Sequence, residues 1–168
     1  MTTLTSHTHA QQWPASRLAV PGAIGGLLGG MAMAMFSMLV AISRDGFWAP
    51  VRGITSVVFG DEHYGGGFDF WTVAVGAAGH MMNSVVLGAL FALMAGLVLT
   101  RASSVATWMA GAVYGLAVWA VMVLIVAGGL QSSDLFADSV PHWAWIAGHL
   151  MFGAITAMVV TALQRRSA

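Results

Sequence analysis

Two histidines stand in matching phrases inside apolar stretches of the chain. The phrases are Ala78-Gly79-His80-Met81-Met82 and Ala147-Gly148-His149-Leu150-Met151. Each stretch is long enough to cross a bilayer, and an ionisable side chain in hydrocarbon is costly enough to indicate a functional site. Imidazole can donate or accept a hydrogen bond, ligate a metal or haem iron, or carry a proton. The chemistry of this chain is therefore expected to centre on His80 and His149.

The composition of the chain is that of a membrane protein. Of its 168 residues, 58% are hydrophobic and 7% are charged, and the mean hydropathy is +0.82. Because a soluble domain carries roughly 25% charged residues, this chain has too little polar surface to coat a water-soluble core. It contains no cysteine, which excludes disulfides and thiolate chemistry. It also lacks the basic patch that is typical of nucleic-acid binding. From its composition, we expect its main partner to be the lipid bilayer.

Four apolar segments reach the length of about 20 residues that a membrane-crossing helix needs. They are residues 19–42, 70–100, 105–130 and 143–163. We predict an all-α fold, an integral membrane four-helix bundle made of two tandem hairpins, each pairing a glycine-rich helix with a histidine-bearing one. The transmembrane domain covers residues 19–163, between a disordered cytoplasmic tail at 1–18 and a short cytoplasmic tail at 164–168.

The outer connection, residues 43–69, contains a short helical pattern of its own. Apolar residues recur there with helical period, Pro50 suits the first turn of a helix and Gly60 suits its end. We therefore predict a helix over Pro50–Phe59 that lies in the outer membrane interface.

The arginines predict the orientation of the chain. Arg17, Arg101, Arg165 and Arg166 fall on the side of the membrane that both termini share, and no acid falls there. The opposite side holds all six acids and the two remaining arginines. The positive-inside rule then places both termini in the cytoplasm, in a multi-pass protein of the bacterial cytoplasmic (inner) membrane.

Glycines recur at every fourth position in two of the predicted helices. They are Gly22, Gly26 and Gly30 in the first crossing and Gly111 and Gly115 in the third. Small residues at this spacing let helix backbones approach closely in a membrane. We predict that these glycines pack helices within the chain. The same pattern leaves open a homo-oligomer or a larger membrane complex.

Polar side chains accompany each histidine on its own helix. Asn83 and Ser84 share a side of the second crossing with His80, and Thr156 lies two turns after His149. Counted by helix rise, both histidines lie in the outer half of the membrane or near its middle. They meet if these polar faces point at each other inside the bundle.

Four kinds of chemistry remain open for the two histidines. In the first, neutral imidazoles hydrogen-bond across helices to the neighbouring polar side chains and hold the hairpins in register. In the second, His80 and His149 are the axial ligands of haem b in an electron-transfer membrane subunit, with Arg44 and Arg52 nearest the propionates.

The third and fourth possibilities concern ions and solutes. Met81, Met82 and Met151 flank the histidines, and thioether with imidazole suits Cu(I) in a metal-handling protein. Alternatively, His80, Asn83 and His149 line a proton or solute path in a small transporter. No nucleophile–base pair, carboxylate pair or HExxH motif is present. We therefore expect a non-enzymatic accessory or scaffold module with a paired intramembrane histidine site.

Two short motifs of this chain resemble those of other membrane proteins. Phe47-Trp48-Ala49-Pro50 follows a glycine- and methionine-rich first helix, and His149-Leu150-Met151-Phe152-Gly153 lies in the last helix. With these features the chain resembles a set of small bacterial four-helix integral membrane proteins that have no established activity. The likeness covers most of the chain from Gly22 onward. It implies a four-helix membrane fold and carries no activity over.

The predicted topology can be tested because the chain has no cysteine of its own. In intact cells, Ser103→Cys should resist a membrane-impermeant thiol reagent, since it follows the cytoplasmic Arg101. Ser132→Cys, in the second outer loop, should react. Labelling of Ser103→Cys without labelling of Ser132→Cys would show that the orientation is the reverse of the predicted one.

Overall fold

The regular secondary structure of the described residues is all helical. The computed structural model describes residues 15–99, 101–122 and 139–166, and it has no strand within these ranges. Its helices are α1 (Ala15–Ala41), α2 (Ala49–Phe59), a 3-10 turn (Asp61–His63), α3 (Phe70–Val98), α4 (Ser104–Trp119) and α5 (His142–Arg166).

Four of the helices are long and apolar enough to cross a membrane. They are α1, α3, α5 and α4 with its continuation to Met122. The prediction of an all-α fold is confirmed for the described residues, and four such helices among them are what a multi-pass membrane protein has. Many large apolar side chains lie on the outside of the bundle, such as Met31, Leu97 and Met109, which are 54%, 81% and 67% exposed. A bilayer would cover these side chains.

Helix boundaries differ from the predicted ones mainly near the two ends of the chain. Helix α1 begins at Ala15, inside the stretch predicted as a tail, and α5 continues to Arg166. The guanidinium of Arg165 donates a hydrogen bond to the Ser104 hydroxyl, so the end of α5 is joined to the start of α4. The predicted tail at 1–14, the end of the third crossing and most of the second outer loop lie outside the described residues.

Helix α1 is the central helix of the bundle. It packs extensively against α3 on one side and α5 on the other, and α5 packs in turn against α4. Over the described residues, α3 and α4 have few backbone contacts. They meet through side chains instead, as where the Tyr114 hydroxyl donates a 2.8 Å hydrogen bond to the Leu87 carbonyl. The helices therefore follow the order α3, α1, α5, α4, with a groove between the last and the first.

Glycines form the contact between α1 and α3. A Cβ atom on Gly26 would overlap the carbonyl oxygen of Ser84 and lie 2.9 Å from the Cα of Gly88. A Cβ atom on Gly22 would overlap the carbonyl oxygen of Gly88. At Gly30 the added atom would meet the Ser84 side chain. The three glycines of α1 thus lie at a backbone-to-backbone contact inside the chain.

Helix α5 makes two further contacts of the same kind. On the α4 side, Cβ atoms on Gly111 and Gly115 would meet the backbone of Gly153 and of His149. On the α1 side, a Cβ atom on Gly25 would lie 2.8 Å from the carbonyl oxygen of Thr156. All five predicted packing glycines therefore face another helix of this chain.

Helix α2 occupies the segment for which a short interfacial helix is predicted. Pro50 lies in its first turn, and Gly60, with φ 115°, ends it by donating its N–H to the Ser56 carbonyl. Six of its eleven residues are buried, because Gly76 of α3 leaves room for the Val51 carbonyl. The Thr55 hydroxyl also donates a 2.7 Å hydrogen bond to the Thr72 carbonyl. The position of α2 at a membrane surface stays a prediction.

The chain between α2 and α3 is held by one arginine. The Arg52 guanidinium donates hydrogen bonds to the carbonyls of His63, Tyr64 and Gly67, at 3.0, 3.4 and 3.1 Å. Helix α3 then begins at Asp69, whose carboxylate accepts a 2.8 Å hydrogen bond from the Thr72 backbone N–H. Hydrogen bonding to Thr72 lowers the pKa of the Asp69 carboxyl. This connection is thus fixed to α2 and to the start of α3.

The glycine contacts predict which small-to-larger changes the bundle tolerates. We expect Gly26→Ala to lower the thermal unfolding midpoint in detergent, because the new methyl group forces α1 away from α3 at a cost of about 1–3 kcal/mol. Gly115→Ala should act in the same way between α4 and α5. Gly79→Ala is the matched control, since its Cβ would meet only the Ile54 side chain, at 3.9 Å. Equal midpoints for Gly26→Ala and Gly79→Ala would contradict close packing.

Candidate functional site

All five α-helices contribute to one cavity. Its volume is about 270 Å³. Most of its wall is apolar, including Met33 of α1, Ile54 of α2, Val118 of α4 and Phe152 of α5. Five polar side chains also line it, and they are Ser37, His80, Asn83, Ser84 and His149. The two predicted histidines are thus brought to the same cavity by helices α3 and α5.

A backbone carbonyl of another helix fixes the His80 ring. Its Nε2 lies 3.0 Å from the carbonyl oxygen of Gly30. A carbonyl can only accept, so Nε2 carries the hydrogen and donates it. In the neutral ring, Nδ1 then has no hydrogen and carries a free lone pair. The ring reaches the α1 backbone because α1 and α3 lie close together here, where a Cβ atom on Gly30 would overlap the Ser84 side chain.

The His149 ring is fixed by its own helix. Its Nδ1 lies 2.8 Å from the carbonyl oxygen of Trp145, one turn earlier in α5. By the same reasoning Nδ1 is the donor, and Nε2 of the neutral ring carries a free lone pair. The residue is buried, with 4% of its surface exposed, and its ring lies near the Trp145 ring, with centroids 6.2 Å apart.

Each histidine therefore uses its one N–H on a backbone carbonyl and keeps one lone pair. Two neutral imidazoles in this state cannot hydrogen-bond to each other, since neither has a second N–H. Their free nitrogens can accept a hydrogen bond from a ligand or bind a metal. Within the described ranges, no group of three or more His, Cys, Asp or Glu side chains is placed to hold a metal ion.

The polar residues predicted to support the histidines have other partners. The Asn83 amide donates to the Met122 sulfur at 3.9 Å, and the Ser84 hydroxyl donates to the His80 carbonyl at 2.8 Å. Thr156 does not line the cavity, and its hydroxyl donates to the carbonyls of Phe152 and Gly25 at 2.7 and 3.3 Å. Asn83 and Ser84 thus share the cavity with the histidines, whereas Thr156 joins α5 to α1.

Sequence reasoning missed one polar residue of this cavity. Ser37 of α1 is 3% exposed, and its hydroxyl has no hydrogen-bond partner among the described residues. A buried hydroxyl without a partner is unusual, because most buried polar groups are paired. The signal was present in the sequence: Ser37 is the only polar side chain between Gly22 and Ala41, two turns after Gly30.

The arginine considered for haem propionates is engaged elsewhere. All three nitrogens of the Arg52 guanidinium donate to carbonyls of the connection before α3. Arg44 is exposed in the turn after α1. The two histidine nitrogens are a suitable donor set for haem iron, but Arg52 would have to give up these hydrogen bonds to reach a propionate.

Comparison with known proteins adds no relative. The chain matches no protein family, no curated protein and no solved structure. The geometry of the cavity is therefore the observation from which a function can be argued.

Separate hydrogen bonds predict separate energetic effects of the two histidines. In protein stripped of lipid-soluble compounds, His80→Leu should lower the free energy of unfolding by about 1 kcal/mol, since it removes the hydrogen bond to α1. His149→Leu should remove only a bond within α5. The double variant should equal the sum of the single ones within about 0.5 kcal/mol. A double variant that loses much less than this sum would show that the two rings interact directly.

Proposed function

We propose that this chain is a non-enzymatic accessory protein of the bacterial cytoplasmic membrane that holds a small ligand between His80 and His149. One observation carries the proposal: His80 and His149 line the same largely apolar cavity, and each neutral ring keeps one nitrogen that no backbone carbonyl occupies. A ligand with hydrogen-bond donors can pair with these nitrogens. A purely structural polar pair would instead use these nitrogens on each other or on side chains.

The proposal includes an arrangement in the membrane. The chain forms two tandem hairpins, with both termini in the cytoplasm and α2 at the outer interface, as in the small bacterial four-helix proteins that it resembles. The arginine asymmetry supports this orientation. The exposed side chains of Val58 and Phe59 support contact of α2 with the interface, since they are 65% and 60% exposed. The cavity then lies in the outer half of the membrane.

Haem binding is the second candidate. The same two lone pairs favour it, because imidazole nitrogens from two helices are the donor set of a bis-histidine haem b. The engagement of Arg52 with three carbonyls counts against it. The absorption spectrum distinguishes the two candidates directly.

The test uses protein purified from its own membranes in mild detergent. We expect no Soret band, no stoichiometric metal and a lipid-soluble compound that organic extraction and mass spectrometry recover with the protein. His149→Leu should lose this compound. His142→Leu is the matched control, because His142 is an exposed histidine of the same helix that does not line the cavity.

Each result of this test decides between the candidates. A Soret band that His80→Leu and His149→Leu both abolish would replace the proposal with the haem candidate. Recovery of the same compounds at the same level from the parent and from His149→Leu would contradict ligand binding at the histidines.

A further inference from the structure

The chemistry of the cavity defines what kind of ligand it takes. His80 and His149 cannot donate into it, because each uses its N–H on a backbone carbonyl. Their free nitrogens accept hydrogen bonds only. The unpartnered hydroxyl of Ser37 lies in the same wall and can donate or accept. At the two histidines the ligand must therefore present hydrogen-bond donors, and two acceptors from two helices suit a molecule with two donor groups.

The cavity is also suited to an uncharged ligand. Among the described residues that line it there is no Asp, Glu, Lys or Arg. A carboxylate or phosphate would lie here without a cation, at a high desolvation cost. The remaining wall consists of aliphatic, thioether and aromatic side chains, such as Leu87, Trp145 and Phe152. Such walls suit an apolar body.

A second cavity lies next to the first. It has a volume of about 220 Å³ and lies in the groove between α3 and α4. Leu87, Val118 and Met122 line both cavities, so the two are adjacent. Among its described lining residues, the one polar group is the Tyr114 hydroxyl, which already donates to the Leu87 carbonyl. Its described wall is almost wholly apolar and suits a hydrocarbon chain.

We infer that the ligand is a lipid-soluble hydroquinone, with its hydroxyls donating to His80 and His149 and its hydrocarbon chain in the groove between α3 and α4. This inference rests on the proposed function and specifies its ligand class. A flat ring with a hydroxyl at each end provides two donors without charge. The adjacent apolar groove has the chemistry to hold its hydrocarbon chain.

The experiment compares three probes that differ in what their two ring oxygens carry, and only the first has O–H groups. They are a decyl-substituted 1,4-hydroquinone, its dimethyl ether and the corresponding 1,4-quinone, titrated calorimetrically against the parent protein in detergent without oxygen. The hydroquinone should bind at least roughly tenfold more tightly than the other two, which have no donor. This comparison needs no variant, so it does not depend on the folding of a mutant.

Variants then locate the binding site. His80→Leu and His149→Leu should each weaken hydroquinone binding roughly tenfold, and His142→Leu should leave it unchanged. Ala117→Phe should weaken binding of all three probes, because Ala117 lines the groove. Val113→Phe is its control, since Val113 lies one turn away on α4, is 67% exposed and does not line the groove.

The outcomes separate this inference from the proposed function. Equal affinities for the three probes would overturn the inferred donor role. Absence of hydroquinone binding would also overturn the inference, and the proposed function would still hold if the purified parent retained another compound that His149→Leu lost. If neither a probe nor a retained compound depended on His149, both would fail.

Discussion

The close approach of α1 to its two neighbours is the contact on which the rest of the structure depends. In a membrane no hydrophobic force drives helices together, so association depends on packing and on hydrogen bonds between helices. Gly22, Gly26 and Gly30 allow α1 to approach α3 at backbone distance, and Gly25 allows the same toward α5. The approach also brings backbone carbonyls of α1 within reach of side chains on both sides. The Gly30 carbonyl accepts from His80, and the Gly25 carbonyl accepts from Thr156.

Two backbone carbonyls determine which nitrogen of each histidine is free. In water an imidazole exchanges its hydrogen between both nitrogens, but a carbonyl partner fixes it on one of them. Here Gly30 fixes it on Nε2 of His80 and Trp145 fixes it on Nδ1 of His149. The free nitrogen of each ring is therefore an acceptor. At the two histidines the cavity therefore takes donors or metal ions.

Helix α2 gives the bundle an asymmetry that four crossing helices alone would not have. Its buried side packs on α3 at Gly76, and Val51 and Ile54 form part of the cavity wall. Arg52 ties the following connection to this helix through three carbonyls. Over the described residues, α3 and α4 have few backbone contacts and meet through side chains such as Tyr114. The cavity thus has α2 in its wall and an apolar groove next to it.

The sequence alone determined the features that follow from local pattern. Apolar length predicted the four crossing helices, and Pro50 and Gly60 bounded α2, because these signals act within a few residues. The paired Gly-His phrases identified His80 and His149, and helix spacing could have identified Ser37. Only the tertiary structure decided which nitrogen of each histidine is free, because that depends on carbonyls 50 residues away in the chain for His80 and one turn away for His149. It also decided that Thr156 bonds to α1 rather than lining the cavity, and that α3 and α4 leave a groove, since helix order is a property of packing between helices and not of any one of them.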